Sequence, residues 1–238
     1  MKAIIQCGGQ GMRLRPYTSI LPKPLMPIGA RPVLELVLKW LRRNGISEVY
    51  ITTGYLGHLI RSVCGDGSQW NIKINYTQER EPLGTIGPLS LLREHLDAPF
   101  LVLNGDILTD LNLNYLLGYH RRQNAMLTIA TAQRLTCMDF GVIDESNGCV
   151  TGFREKPAIP HLVSMGVYCM NPTILEHIPS GVPFGFDDLI YQLLREEVPV
   201  TVFKHNGRWL DIGRVEDFTK AQDEAWDEQS TTFTVAAE

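Results

Sequence analysis

Residues Lys2–Leu25 read KAIIQCGGQGMRLRPYTSILPKPL. The apolar strand candidate Lys2–Cys7 runs straight into a glycine-rich turn at Gly8, Gly9 and Gly11, with Arg13 and Lys23 close behind. A turn without side chains, whose backbone N–H groups point outward between two cations, is suited to holding phosphate groups. It is not a Walker A loop, since no Gly-x-x-x-x-Gly-Lys-Ser/Thr string occurs, and a dinucleotide fingerprint would need a third glycine where Arg13-Leu14 stands. Pro22 and Pro24 restrict the backbone on either side of Lys23. The ammonium is therefore mounted on a stiff, non-helical segment that can aim it.

Outward from this stretch, apolar runs of strand length alternate with helical spacing. Strands are predicted at Lys2–Cys7, Glu48–Thr53, Ile72–Gln78 and Phe100–Asn104, and helices at Pro32–Asn44, near Leu56–Cys64 and near Gly87–His95. Such alternation predicts an α/β fold, a three-layer α/β/α sandwich around a mainly parallel, mixed central sheet. From Met126 the pattern turns toward strands: Met126–Ala132, Phe140–Asp144, Val150–Glu155 and Ser164–Met170, with Asn147-Gly148 as a hairpin turn. This second half is expected to carry the lid of a cleft. A helix near Asp187–Glu196, a strand at Val200–Lys204 and a helix near Val215–Trp226 complete one domain over residues 1–226, followed by a polar tail at 227–238.

A chain of 238 residues with 44% hydrophobic and 20% charged residues can bury a full core. Its formal net charge of −4 leaves no nucleic-acid footprint, so the cations near the glycine turn are local equipment for a small anion. No run approaches the roughly 20 apolar residues of a membrane span, and a cytoplasmic protein is expected. Five cysteines without a Cys-x-x-Cys pair argue against a disulfide framework or a structural zinc site, and are expected to act as small apolar residues. Asp106 follows the strand Phe100–Asn104 at its C-terminal end, where open α/β sheets place ligands. Asp110, just beyond, is expected to cap a helix at Leu111–Tyr119.

The blocks Gly8-Gly9-Gln10-Gly11-Met12-Arg13-Leu14 and Pro22-Lys23-Pro24 resemble the signature of the sugar-1-phosphate nucleotidylyltransferases. The resemblance continues through Gln78–Gly87, Asn104-Gly105-Asp106, Phe140-Gly141-Val142-Ile143, Glu155-Lys156-Pro157 and Trp209-Leu210-Asp211-Ile212-Gly213, in family order. It implies the Rossmann-like nucleotidyltransferase fold and transfer of a nucleotidyl group from a nucleoside triphosphate to a sugar 1-phosphate. It implies Asp106 and Asp211 as the ligands of a Mg²⁺ cofactor, with Arg13, Lys23 and Lys156 as catalytic cations. Gly8, Gly9, Gly11, Gln78 and Gly84 would meet the nucleotide, and Gly141, Glu155 and Tyr168 the sugar. The string Glu81-Pro82-Leu83-Gly84-Thr85 through Leu89 looks most like mannose-1-phosphate and heptose-1-phosphate guanylyltransferases, which favours GTP. Thymidylyl- and uridylyltransferases of glucose 1-phosphate, transferases of non-sugar phosphates and a catalytically silent regulatory homologue are the alternatives. The partners implied are the nucleoside triphosphate and the sugar 1-phosphate, with a homo-oligomer left open.

Departures from the family pattern shape the expected acceptor. The common Leu-Ala before the glycine turn is Gln6-Cys7, and the Thr or Ser before the arginine is Met12. The usual Asn-Ala-Gly-Ile-Tyr string is Ser164-Met165-Gly166-Val167-Tyr168. A hydroxyl in place of an amide removes reach and one donor, which points to a heptose, a deoxy or amino sugar, or a cyclitol phosphate. Many members carry a C-terminal left-handed β-helix. No such segment is expected here, nor an acyltransferase role with it.

Overall fold

Side-chain alternation in the first strand sets the layering. In β1 (Lys2–Cys7), Ala3, Ile5 and Cys7 enter one core while Ile4 enters another on the opposite face. Period-two alternation with apolar residues on both faces is the mark of a strand covered on both sides. The computed structural model, which describes residues 1–223 and 226, places β1 near the centre of a sheet with just this coverage. The tail expected from Asp227 lies outside the described residues.

The chain continues through the small antiparallel pair β2 (Pro27–Ile28) and β3 (Arg31–Pro32), helix α1 (Val33–Arg43), β4 (Glu48–Thr53), α2 (Gly57–Cys64), β5 (Lys73–Gln78), β6 (Phe100–Asn104), β7 (Ile107–Thr109) and α3 (Leu113–Gln123). Then follow β8 (Leu127–Cys137), β9 (Val142–Ser146), β10 (Cys149–Arg154), β11 (Ala158–Met170), α4 (Phe186–Arg195), β12 (Val200–His205), β13 (Trp209–Asp211) and α5 (Val215–Asp223). Seven strands form the main sheet in the order β12-β8-β11-β6-β1-β4-β5. β6, β1, β4 and β5 are mutually parallel, β11 runs antiparallel to its neighbours β6 and β8, and β12 is parallel to β8. The α/β/α sandwich with a mainly parallel, mixed sheet is thus the architecture the sequence predicts.

One core lies under α1, α2, α3 and α5 and holds Leu34, Leu38, Leu41 and Ile60. The other lies under α4 and holds Ile86, Phe100, Leu189 and Leu193. Helix α1 shows why the local sequence folds as it does: Val33, Leu34, Val37, Leu38 and Leu41 share its buried face, and Gly45 stops it at φ 82°.

Four local expectations are corrected. Gly87–His95 is a series of 3-10 turns, because the N–H groups of Ile86 and Gly87 both donate to Phe184 O at 3.0 Å and dock this segment on the chain before α4. Asp110 does not cap α3. Asn112 does, accepting from Asn114 N at 2.9 Å, while Asp110 Oδ1 bonds His205 Nε2 at 2.8 Å and Arg208 N at 2.9 Å. Cys7, Cys64 and Cys169 are buried, but Cys137 and Cys149 are exposed, and all five are free. β8 and β11 are also longer than expected: past Ala132 and before Val163 they leave the sheet as a two-stranded arm, which carries the β9–β10 hairpin with Asn147 and Gly148 at φ 52° and 80° in its turn. No helix among the described residues is long and apolar enough to cross a membrane.

Candidate active site

The parallel strands β1, β4, β5 and β6 end together, and the loops leaving them enclose a cleft of about 960 Å³. The glycine turn forms one wall. Gly11 is left-handed (φ 62°), and a Cβ there would stand 2.9 Å from Thr18 Cγ2 and 3.2 Å from Lys23 Cβ. Thr18 Oγ1 also donates to Gly11 O at 2.8 Å, so the turn is pinned against the segment that carries Lys23. Gly9 has nothing within 4 Å of its Cβ position and opens to the cleft. Gln78 and Gly84 line the far end. Gly84 sits at φ 78° with its Cβ position 2.7 Å from Phe184 O, so only glycine fits there. Gln6 also lines the cleft, and its amide is taken up by Thr85 O.

The floor is charged. Asp106 lies in the turn between β6 and β7, and Asp211 is the last residue of β13. β13 pairs antiparallel with β7, opposing Asp211 to Ile107, and Ile212 N donates to Asp106 O at 3.2 Å. That short ladder is what brings two carboxylates from distant sequence to one point. Between them stands the Lys23 ammonium, ion-paired with Asp106 and 3.3 Å from Asp211 Oδ1. Burial lowers the Lys23 pKa, Asp211 partly restores it, and Arg13 adds to the lowering. Nearby, burial raises the Glu79 carboxyl, which holds Leu83 N at 2.9 Å.

Two carboxylates converging on one positive charge match a site for Mg²⁺, which takes few protein ligands and fills the rest with water and phosphate oxygens. Among the described residues no third His, Cys, Asp or Glu joins them. Sequence reasoning missed Gly213 as a site residue. A Cβ there would lie 2.9 Å from Asp211 Oδ1, 2.9 Å from Lys23 Nζ and 3.0 Å from Arg13 Nη2. Its place two residues after Asp211 was the available signal: Gly213 N donates to Asp211 Oδ1 at 2.8 Å and orients that carboxylate.

The structure therefore brings together Gly8, Gly9, Gly11, Arg13, Lys23, Gln78, Gly84 and Asp106 around one cleft, with Asp211 against Lys23. It does not bring Gly141, Glu155, Lys156 or Tyr168 to the cleft lining. Gly141 and Glu155 are neighbours, with the Cβ position of Gly141 3.3 Å from Glu155 Oε2, but they and Lys156 are carried by the arm. Tyr168 is buried, its ring stacked on Phe186 at 4.1 Å and its hydroxyl accepting from Ser164 Oγ at 3.1 Å.

Known proteins share both this sequence and this fold. The Nucleotidyl transferase family model matches residues 2–228. A UTP–glucose-1-phosphate uridylyltransferase of Synechocystis sp. is 33% identical over 93% of this chain, and a mannose-1-phosphate guanylyltransferase catalytic subunit beta of Danio rerio is 33% identical over 92%. The chain spans 62% of the length of each of these two relatives. The solved structure of HddC from Yersinia pseudotuberculosis superposes with a TM-score of 0.75 at 24% identity, covering 94% of this chain and 98% of that one. The family match extends over nearly the whole sequence, and the chain belongs to the nucleotidyl transferase family.

Proposed function

We propose that the protein transfers a nucleotidyl group from GTP to a sugar 1-phosphate and releases pyrophosphate. The observation that carries this reading is the Asp106–Lys23–Asp211 floor beneath a glycine turn, at the mouth of a cleft large enough for a nucleotide. An oxygen of the sugar phosphate attacks the α-phosphorus, the bond to the β-phosphate breaks, and the electron pair leaves with pyrophosphate. The attacking phosphate is already ionised at neutral pH, so the protein's task is positioning and charge stabilisation rather than proton removal.

The N–H groups of the glycine turn and the Arg13 fork hold the β- and γ-phosphates, and Lys23 faces the α-phosphate from its stiff mounting. Asp106 and Asp211 would hold Mg²⁺, which supplies positive charge against the crowded phosphate oxygens. Gln78 and the backbone around Gly84 read the base edge. Glu155 and Lys156 come to the acceptor from the arm, with Gly141 beside them. GTP as donor is supported by the Glu81–Leu89 string and by the guanylyltransferase relatives; the uridylyltransferase relative makes UTP the competitor to test.

Purified protein in magnesium buffer, offered GTP, UTP and dTTP together with a panel of sugar 1-phosphates, is expected to form a GDP-sugar, identified by mass. A dominant UDP- or dTDP-sugar overturns the donor assignment and leaves the reaction class standing. No nucleotide sugar from any pair overturns the reaction.

A further inference from the structure

A second cavity, of about 370 Å³, lies beyond the glycine turn and is lined by Arg13, Arg134, His161, Trp209, Arg214 and Asp217, among others. It shares Arg13 and Gly213 with the nucleotide cleft, so the two spaces adjoin at the charged floor.

Strand register explains how these side chains meet. In the β8–β11 ladder Arg134 opposes His161 and Ala132 opposes Val163, so alternation puts Arg134, Thr136, His161 and Val163 on one face of the ribbon, and all four line the cavity. That is the face toward the core containing Val167, against which Trp209 packs. Tyr168, which the family resemblance puts near the sugar, belongs to the core on the other face. Helix α5 closes the cavity through Asp217, whose two carboxylate oxygens accept from Arg134 Nη2 at 2.8 and 3.1 Å.

The charge count decides what such a space can hold. Six ionisable groups line it: Arg13, Arg134, His161, Asp211, Arg214 and Asp217. Both carboxylates are engaged, Asp217 by Arg134 and Asp211 by Lys23 and Gly213 N. The guanidiniums of Arg13 and Arg214 have no hydrogen-bond or ion-pair partner among the described residues, Arg214 being bonded only through its backbone carbonyl, which accepts from Phe218 N at 2.9 Å. Two uncompensated guanidiniums facing one cavity, with an imidazole and the Thr136 hydroxyl beside them, suit a compact polyanion. At the threshold, Gly213 lets Asp211, Lys23 and Arg13 close in on the backbone where the two spaces meet.

We propose that this cavity is the release chamber for inorganic pyrophosphate, with Arg214 and His161 taking over the diphosphate from Arg13 after the α–β bond has broken. This rests on the nucleotidyl-transfer reading above and adds residues and a route to it. In-line displacement puts the leaving group opposite the acceptor. The chamber adjoins the floor at Arg13, the cation assigned above to the β- and γ-phosphates, which is the side from which a diphosphate leaves.

The test is direct binding to the whole chain in magnesium buffer, by titration calorimetry, of inorganic pyrophosphate and separately of a non-hydrolysable GTP analogue. Arg214 and His161 are exposed, and melting curves will show that Arg214→Ala and His161→Asn keep the fold. Each variant is expected to weaken pyrophosphate by about 10-fold, the size of one lost charge-assisted contact. The nucleotide analogue is expected to change by less than about 2-fold. Equal loss for both ligands would mean one common phosphate site and overturns the proposal, as does unchanged or undetectable pyrophosphate binding. Selective loss of a sugar 1,6-bisphosphate, with pyrophosphate unaffected, would make the cavity an acceptor pocket and overturns it too. Because no turnover is needed, pyrophosphate binding through Arg214 in a protein that forms no nucleotide sugar would sink the transfer reading alone.

Discussion

The inner and outer halves of β8 and β11 differ sharply in burial. Leu127–Ala132 and Met165–Met170 are built into the sheet and largely buried, whereas Gln133–Cys137 and Ala158–Leu162 stand bare on both faces. The inner halves are held by burial as well as by the strand ladder; the outer halves have the ladder and the Arg134–Asp217 ion pair. Burial makes the floor rigid, and Asp106, Lys23 and Asp211 are fixed on it. Low burial leaves the arm free to move relative to that floor, and Glu155 and Lys156 ride on the arm. The molecule thus sets Asp106, Lys23 and Asp211 on a buried floor, and carries Glu155, Lys156 and one wall of the second cavity on an exposed arm.

The most direct way to break this comparison is to make one change in both regions. Phe100 is fully buried between α4 and the sheet, and Phe153 is 62% exposed on the arm. Phe100→Ala is expected to cost about 3–5 kcal/mol of folding stability and Phe153→Ala less than about 0.5 kcal/mol, read by urea denaturation. A comparable loss at Phe153 would show the arm to be part of the cooperative core. At the floor, Asp211→Asn is expected to lower kcat by on the order of 10²–10³-fold without shifting the melting temperature; normal turnover would remove Asp211 from the site. On the arm, Lys156→Ala is expected to raise KM for the sugar 1-phosphate by about 10-fold, the size of one charge-assisted contact, and to leave KM for GTP nearly unchanged. A loss confined to the nucleotide side would reverse the division of labour. The smallest effect separates the regions by chemistry: burial holds the Cys7 thiol well above its usual range and pushes Cys64 and Cys169 up to about 12, so iodoacetamide at pH 8 is expected to label only Cys137 and Cys149. Early labelling of Cys7, measured by peptide mass, would mean that the cleft floor opens.

The parallel half was legible in the sequence because each of its strands carries its own signal. Lys2–Cys7, Glu48–Thr53 and Phe100–Asn104 are strands over the very residues their apolar runs mark. The glycine turn was equally readable, since Gly11 imposes its geometry locally; Lys23, expected on a non-helical segment, instead opens a 3-10 turn, Lys23–Leu25, with Pro22 before it. What the sequence hid depends on distant partners. Gly87–His95 has helical spacing, yet Phe184 claims its first N–H groups. Asp110 looks like a helix cap, yet His205 and Arg208 hold it. The outer halves of β8 and β11 have few buried residues to mark them, and Gly213 gains meaning only when Lys23 and Arg13 stand within 3.0 Å of its missing Cβ.

The pairing of β7 with β13 has a consequence in time. Asp106 and Asp211 meet only when residues 105 positions apart have both been synthesised. At about 5–20 residues per second, a ribosome needs roughly 5–20 s to pass from one to the other. During that interval the glycine turn and Lys23 already exist on the nascent chain, with Asp106 beside them and the second carboxylate still unmade. The two carboxylates can therefore meet only once β13 has been made, and a chain released before Trp209 would carry the glycine turn and Lys23 without their second acidic partner.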